Sequence, residues 1–529
     1  MPAGRGRGTW ALVGLALLVA LASCTSDDGP GEATTTTTTT TGPDAQTMRL
    51  GIGGELIVDP VNASLASPRD LMVIDLLFDG LTRLDEEGVP QPALATRWEG
   101  NAQRTAFRFH LDTEATFASG RPVTPQDVIA SLERIIKAGD TSLAALSLEA
   151  VTGFRAFVEG EAAHVSGLTA PDEATVRIGL ATPLSVLPQV LSSPLLSVVD
   201  AETIAGDDLV DLDLSGAWAL SSAAHANLLL ERRPGFPGTL GAVELRQYDD
   251  EEAAYDGFED GDVDWAAVPS SRYDEAVETY GDAAFAPFQA ELFFGMNLSS
   301  PNLDSDALRM AIVRAIDRDA IVEAVYEDLA DPLPTIVPAG VVGNDPDRCP
   351  ECAYDPDSAE DILDLVYPDG KVPTISIDFD ESKAQQAMAE LVADDLQAVG
   401  IPTTLRPLPL DEYTDFVVSG DQAFFSFGWI GAYGSPDAYL APLFGSAAND
   451  NLTNYRSARV DGLLRRARAG LVPEENARRW AGAEADILQA SVVVPIAQFR
   501  TQAVVAERVE GLTTAVDGTI DWARVRLNG

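Results

Sequence analysis

Phe424-Phe425-Ser426-Phe427-Gly428-Trp429-Ile430-Gly431-Ala432-Tyr433-Gly434-Ser435-Pro436-Asp437-Ala438-Tyr439-Leu440 is the stretch around which the chain is organised. It opens as an aromatic, apolar run, too short and too rich in Phe for a good helix, and so reads as a buried strand. It then breaks into Gly, Ser and Pro, the composition of a loop. Trp429 and Tyr433 therefore sit where a strand runs out into irregular backbone. Rings beside free backbone amides suit a small-molecule pocket, although on this stretch alone capping of a sheet by core aromatics is the simpler reading.

The elements leading to it set the fold class. Ile375, Ile377 and Phe379 alternate as a strand, Ala384 to Val399 is an amphipathic helix stopped by Gly400, and Thr403 to Leu408 is a second strand. Strand, helix and strand with short joins predict a parallel crossover unit, so the second half is α/β. Before it, Leu292–Asn297 reads as a strand, and Asp304 or Ser305 caps a long helix with apolar pairs up to Ala315/Ile316. After it, helix is expected over roughly Pro473–Ala490, followed by the apolar run from Val492 to Ala497.

The whole chain bounds the function. At 529 residues it exceeds one hydrophobic core, and two or three domains are expected. The 83 acidic against 35 basic residues give a net charge of −48, a field that excludes nucleic acid and basic membrane patches and suits a soluble exported surface. Gly-x-Ser-x-Gly, Ser-x-x-Lys, His-Glu-x-x-His and phosphate-loop motifs are missing, so no enzyme chemistry and no cofactor is expected. Cys349-Pro350-Glu351-Cys352 has metal- or redox-like spacing, but His110, His164 and His225 are distant in sequence, and an exported protein favours a local disulfide.

At the start, Arg5 and Arg7 precede an apolar run from Ala11 to Ala22, followed by Ser23-Cys24. This is signal-peptide grammar, too short for a comfortable membrane span. Small residues just before Cys24 resemble a bacterial lipobox. That resemblance implies cleavage after residue 23 and lipidation of Cys24, anchoring the protein to the extracytoplasmic face of the membrane. The Thr-rich segment 24–47 has no apolar period and reads as a disordered tether.

In the first half, Leu50–Val58 reads as a strand, Asp70–Phe78 as a helix and Thr105–Leu111 as a half-buried strand. Thr124 caps a helix with Pro125 at its first position and Asp127 at the capping-box place. The order Leu-Phe-Asp-Gly-Leu (77–81), Pro-Ala-Leu-Ala-x-x-Trp (92–98), Phe-x-Phe-x-Leu (107–111) and Phe-x-x-Gly-x-Pro-Val-Thr-x-x-Asp-Val (117–128) resembles the family 5 extracellular solute-binding proteins, receptors of peptide- and nickel-type ABC importers. Arg309, Ala315, Ile316, Asp317 and Arg318 fit the same family pattern, whereas Ser215–Leu220 departs from its Gly-x-Gly-Pro-Tyr turn.

The resemblance implies a periplasmic-binding-protein-like type II α/β fold (cluster C), of actinobacterial lipoprotein type. It implies lobe I over 48–75, 184–289 and 499–529, an extra subdomain over 76–183, and lobe II over 290–498. The chain would cross near Phe288–Glu291 and Ile496–Arg500. It implies a monomer that closes by a hinge on an oligopeptide or peptide-like ligand and delivers it to an ABC permease. Gly428, Trp429, Ile430, Gly431, Ala432 and Tyr433 would line the ligand, with Phe427, Tyr439, Asn297 and Ser67 as further candidates, Asn297 equally well as the cap of a loop. The family's acid that receives the ligand's ammonium group is replaced by Ala432, with Asp437 five residues on. A buried ammonium needs an anionic partner, so an N-blocked peptide, a sugar or another solute is the alternative ligand. A signalling receptor, a lipoprotein hydrolase and a structural surface protein are the alternative functions.

Overall fold

The computed structural model describes residues 46–528 apart from 86, 140–141, 206–207, 225–226 and 282–284. The export signal, Cys24 and the tether up to residue 45 lie outside the described residues. The first strand, Thr47–Gly53, begins inside the span read as tether, because it has parallel partners in Ala242–Tyr248 and in Trp265–Ala267. Its register with Ala242–Tyr248 starts at Thr47 itself, while residues 54–58, expected to continue it, are irregular.

An 11-stranded mixed sheet forms the spine. Its order runs Trp218–Ala224, Asn227–Arg232, Ala242–Tyr248, Thr47–Gly53, Trp265–Ala267, Val493–Val505, Phe285–Met296, Phe424–Ile430, Ile375–Asp380 and Thr403–Leu408, with Ala330–Pro332 also pairing on Val493–Val505. The two long strands serve both ends of the sheet. Phe285–Pro287 pair with Arg500–Gln502, and Glu291–Gly295 pair with Val493–Gln498, with an irregularity between Pro287 and Glu291. That irregularity coincides with the expected crossing points.

The strand–helix–strand unit forms as expected. Ile375–Asp380 and Thr403–Leu408 are parallel, joined by the helix Lys383–Ala398, whose Met388, Val392 and Leu396 are buried. The helix expected from residue 305 with pairs up to Ala315/Ile316 forms as Asp306–Ala315 with Ser305 as its cap, and a second helix, Arg318–Val325, follows after a break. The break falls at Asp317, whose side chain caps the second helix at Ala320 N–H while its own N–H is taken by Asp395.

A separate four-stranded antiparallel sheet, Ala95–Gly100, Ala106–Leu111, Thr175–Gly179 and Leu168–Asp172, lies in the first half. The helix Pro125–Lys137 covers it with Val128, Leu132, Ile135 and Ile136. Its start is the expected capping box, with the Asp127 carboxylate accepting from Thr124 N–H at 2.8 Å. Cys349 and Cys352 form a disulfide, both sulfurs buried in the loop before the helix Pro356–Val366. Among the described residues no helix is long and apolar enough to cross a membrane.

Candidate functional site

The strand Phe424–Ile430 pairs along its whole length with Phe285–Met296, from Met296↔Phe424 to Ala290↔Ile430. On its other edge, Ile375–Asp380 pairs only with Phe424 and Phe425. The two parallel strands then separate. At the split stands Tyr413, on the helix Leu410–Ser419, whose hydroxyl lies 2.6 Å from the Ser426 carbonyl oxygen and 3.0 Å from that of Asp378. Gly431 N–H donates to Gln289 O on the paired edge. A strand's peptide groups alternate between edges with period two, so the N–H and C=O of Gly428 and Ile430 point to the open edge. Gly428 is the one half-buried residue in an otherwise buried strand.

The side chains that follow are committed to holding this backbone. The rings of Phe427 and Trp429 stack at 6.3 Å, and Phe427 also meets Phe293 across the strand pair. Trp429 is buried, and its indole N–H donates to Ala438 O at 2.8 Å. The Tyr433 hydroxyl donates to Asp437 at 2.9 Å, and the fully buried Asp437 carboxylate accepts from Arg468 Nε at 2.9 and 3.1 Å. Burial and the facing Asp437 charge push the Tyr433 phenol well above its ordinary range. Tyr439 is fully buried and donates to Gln289 O at 3.1 Å. Its ring occupies the space a side chain at Gly431 would need, so glycine is required there. Ala432 is half-buried against the same core.

Residues 427–433 and Tyr439 are thus brought together at one end of the strand, with Asp437 behind them. Asn297 is not. It follows the residue paired with Phe424, so it lies about 16 Å along the strand from Gly428. There its amide donates to Gly420 O and Gln422 O, and its oxygen accepts from Ser299 N–H and Asn454. It clamps a loop, because a buried amide must find internal partners. Ser67 caps the helix Pro68–Leu77 by accepting from Asp70 N–H at 3.2 Å, so its hydroxyl oxygen already serves the fold.

Sequence reading missed Tyr413, Arg468 and the polar residues of the crossing strands. Gln289, Glu291 and Gln498 are all buried. Gln498 is held by Phe288 O, Ala339 O and Ala339 N–H. Burial, aided by the nearby Glu484 charge, raises the Glu291 carboxyl well above the usual range. The available signal was the interruption of two apolar runs by Gln and Glu at the crossing points. Beside Gln289, the turn 514–520 bonds to a long strand and to the first helix. Its Val516 carbonyl accepts from Gln289 N–H at 2.9 Å, and its Ile520 N–H donates to Asp75 on the helix Pro68–Leu77 at 3.3 Å.

The arrangement offers backbone hydrogen-bonding groups at an open edge, aromatic side chains packed behind it, and a pair of strands that both ends of the sheet share. Among the described residues these groups form no nucleophile–base pair of the kind the sequence motifs would have announced. Residues 89–451 match the family model described as bacterial extracellular solute-binding proteins, family 5. The periplasmic oligopeptide-binding protein OppA of Salmonella typhimurium is 22% identical, with 94% of each chain covered. The probable deoxycholate-binding periplasmic protein YgiS of Escherichia coli is 24% identical over 80% of this chain and 83% of its own. Among solved structures, the unliganded open form of the periplasmic murein tripeptide-binding protein MppA superposes with a TM-score of 0.81 at 21% identity, covering 91% of this chain and 97% of that one.

Proposed function

The chain belongs to the bacterial extracellular solute-binding proteins of family 5, and from that membership we propose that it captures a peptide or peptide-like solute and hands it to an ABC permease. The ligand lies along the open edge at Gly428–Ile430, with Trp429 and Tyr433 as buttresses of that edge. The observation that carries the reading is the parting of two strands after Phe425, which leaves Gly428 and Ile430 with peptide groups directed to an unpaired edge. An extended peptide can add there as a strand, its main chain supplying affinity. Residues 48–75, 184–289 and 499–529 act as one lobe, 290–498 as the other, and 76–183 as a subdomain of the first. Closure occurs about the shared strands Phe285–Met296 and Val493–Val505. Lipid on Cys24 holds the receptor at the extracytoplasmic membrane face beside its permease, and the protein works as a monomer without catalysis.

The ligand's amino end is uncharged. Ala432 stands where the resemblance places the ammonium-binding acid, and Asp437 is neutralised by Arg468 and bonded to Tyr433. A second reading, a non-peptide solute in the same cleft, draws on the same two facts and on the bile-acid name of one relative. Calorimetric titration with trialanine and with N-acetyl-trialanine tests the proposal. The acetylated peptide is expected to bind tighter by about tenfold, since an unpaired buried ammonium costs at least 1.4 kcal/mol. Tighter binding of the free amine overturns the uncharged-end assignment. Native mass spectrometry of protein purified from its own host separates the two solute classes by the mass that leaves on denaturation.

A further inference from the structure

We propose that Arg468 is a positioning residue that couples the joint between the two halves of the chain to the binding loop. Its carbonyl oxygen accepts from Ser185 N–H at 2.7 Å, while its guanidinium fixes Asp437 and, through Asp437, Tyr433. The proposal rests on the two-lobed receptor reading and adds to it the route by which closure reaches the loop.

The joint is built from both sides. On the first-half side, Arg104 sits at the turn between Ala95–Gly100 and Ala106–Leu111 with φ of 54°, a left-handed conformation that costs a non-glycine residue energy. Its carbonyl holds Leu184 N–H at 3.0 Å, which places Ser185. On the second-half side, the helix Ala458–Arg468 ends; Ala467 O takes the Gly470 N–H at 3.1 Å, and the end is also held by donors from the first half. Ser185 supplies two: its N–H to Arg468 O and its hydroxyl to Ala467 O at 2.9 Å. Arg104 Nε reaches Gly470 O at 3.4 Å. Gly470 has no room for a side chain because Asn476 lies against it.

The same helix end faces the loop. The carbonyl and guanidinium of Arg468 belong to one residue at a rigid helix terminus, and Asp437 is fully buried against it. Displacing the terminus by the loss of the Ser185 bonds therefore strains the Arg468–Asp437–Tyr433 chain. Such contiguous bonded groups transmit coupling when an element between them has two arrangements. The element here is the helix terminus, docked on Ser185 or released from it.

The test is amide hydrogen exchange on the full-length, ligand-free protein, comparing wild type with Ser185→Ala, Ser185→Thr, Arg468→Lys and Arg468→Met. Ser185→Ala removes one hydrogen bond at the joint, where Ser185 bonds to Ala467 and Arg468. It is expected to speed exchange of the amides Gly431–Ser435 about fivefold, in line with one lost hydrogen bond. Ser185→Thr keeps the hydroxyl and restores the wild-type rate. Arg468→Met speeds exchange both at Ser185 and in 431–435, and Arg468→Lys falls between. If Ser185→Ala speeds exchange only within 184–187 and 465–470, the coupling is overturned. Because exchange is read without ligand, a failure of peptide binding in calorimetry would strike the receptor reading and leave this result standing.

Discussion

The hydroxyl of Tyr413 donates to the carbonyl oxygen of Ser426 at 2.6 Å, at the point where the strands Phe424–Ile430 and Ile375–Asp380 part. The phenol thus sits between the two strands where their pairing ends, beside the open edge at Gly428–Ile430. The Asp378 carbonyl, 3.0 Å away, marks the other side of the split. Removing the hydroxyl takes from the buried Ser426 carbonyl its donor at the split. Tyr413→Phe is expected to cost about 1–3 kcal/mol in urea unfolding, with the ring's packing retained. A cost under 0.5 kcal/mol would show that the hydroxyl does not hold the split.

Trp429 stacks on Phe427 and ties the strand end to Ala438. Trp429→Ala is expected to lose about 3–5 kcal/mol of stability and to abolish the thermal shift given by N-acetyl-trialanine. Trp429→Phe keeps most of the packing but not the bond, and is expected to retain a reduced shift. Retention of the full shift by Trp429→Ala would remove this residue from the site.

Gly431 and Tyr439 form a steric pair, because the Tyr439 ring fills the place of a Gly431 side chain. Gly431→Ala alone is expected to destabilise by about 1–3 kcal/mol through overpacking. Tyr439→Leu alone also destabilises, by cavity formation and loss of the bond to Gln289. The double variant is expected to be more stable than the sum of the two single losses allows, by about 1 kcal/mol, in a double-mutant cycle. Simple additivity would show that the contact is not limiting.

Asp75 gives a pH signature. Burial, with Asp517 and Asp79 close by, pushes its carboxyl up to about 8 from an ordinary value of 3.8. The folded state therefore holds a proton that the unfolded state releases near pH 4. That contribution is fully present below about pH 4 and is lost as pH rises toward 8. Asp75→Asn mimics the protonated form. It is expected to flatten the fall of stability between about pH 4 and 8, by at most about 1.4 kcal/mol per pH unit. Chemical denaturation across that range measures both slopes, and equal slopes would place the titration elsewhere.

The spine of the fold was legible where periodicity is strong. Ile375 to Leu408 announced strand, helix and strand, and Thr124-Pro125-x-Asp127 announced its helix start, because local sequence alone sets these features. The separate helix Arg318–Val325, which the sequence did not announce, shows the limit. Asp317 starts it by accepting from Ala320 N–H, while its own N–H donates to Asp395. Tertiary partners 78 residues away cannot be read from a window of sequence. The strand end at Gly428–Tyr433 was legible from its aromatic-to-glycine change, whereas the roles of Tyr413 and Arg468 depend on which carbonyl or carboxylate the fold brings to them. Asn297 stayed open between ligand and loop cap for the same reason. Its place at the end of a strand is visible in sequence, but which end of the neighbouring strand it meets is not.

The central position of Val493–Val505 also governs how the molecule is made. This strand fills the gap between Trp265–Ala267 and Phe285–Met296, and its pairing Trp265↔Val505 joins residues 240 apart. Until residue 505 has arrived, the sheet of the first half has an open side and the second half lacks its inner neighbour. Contacts of such long range are slow to form. A chain emerging from N to C terminus therefore leaves its central sheet unfinished through nearly its whole length.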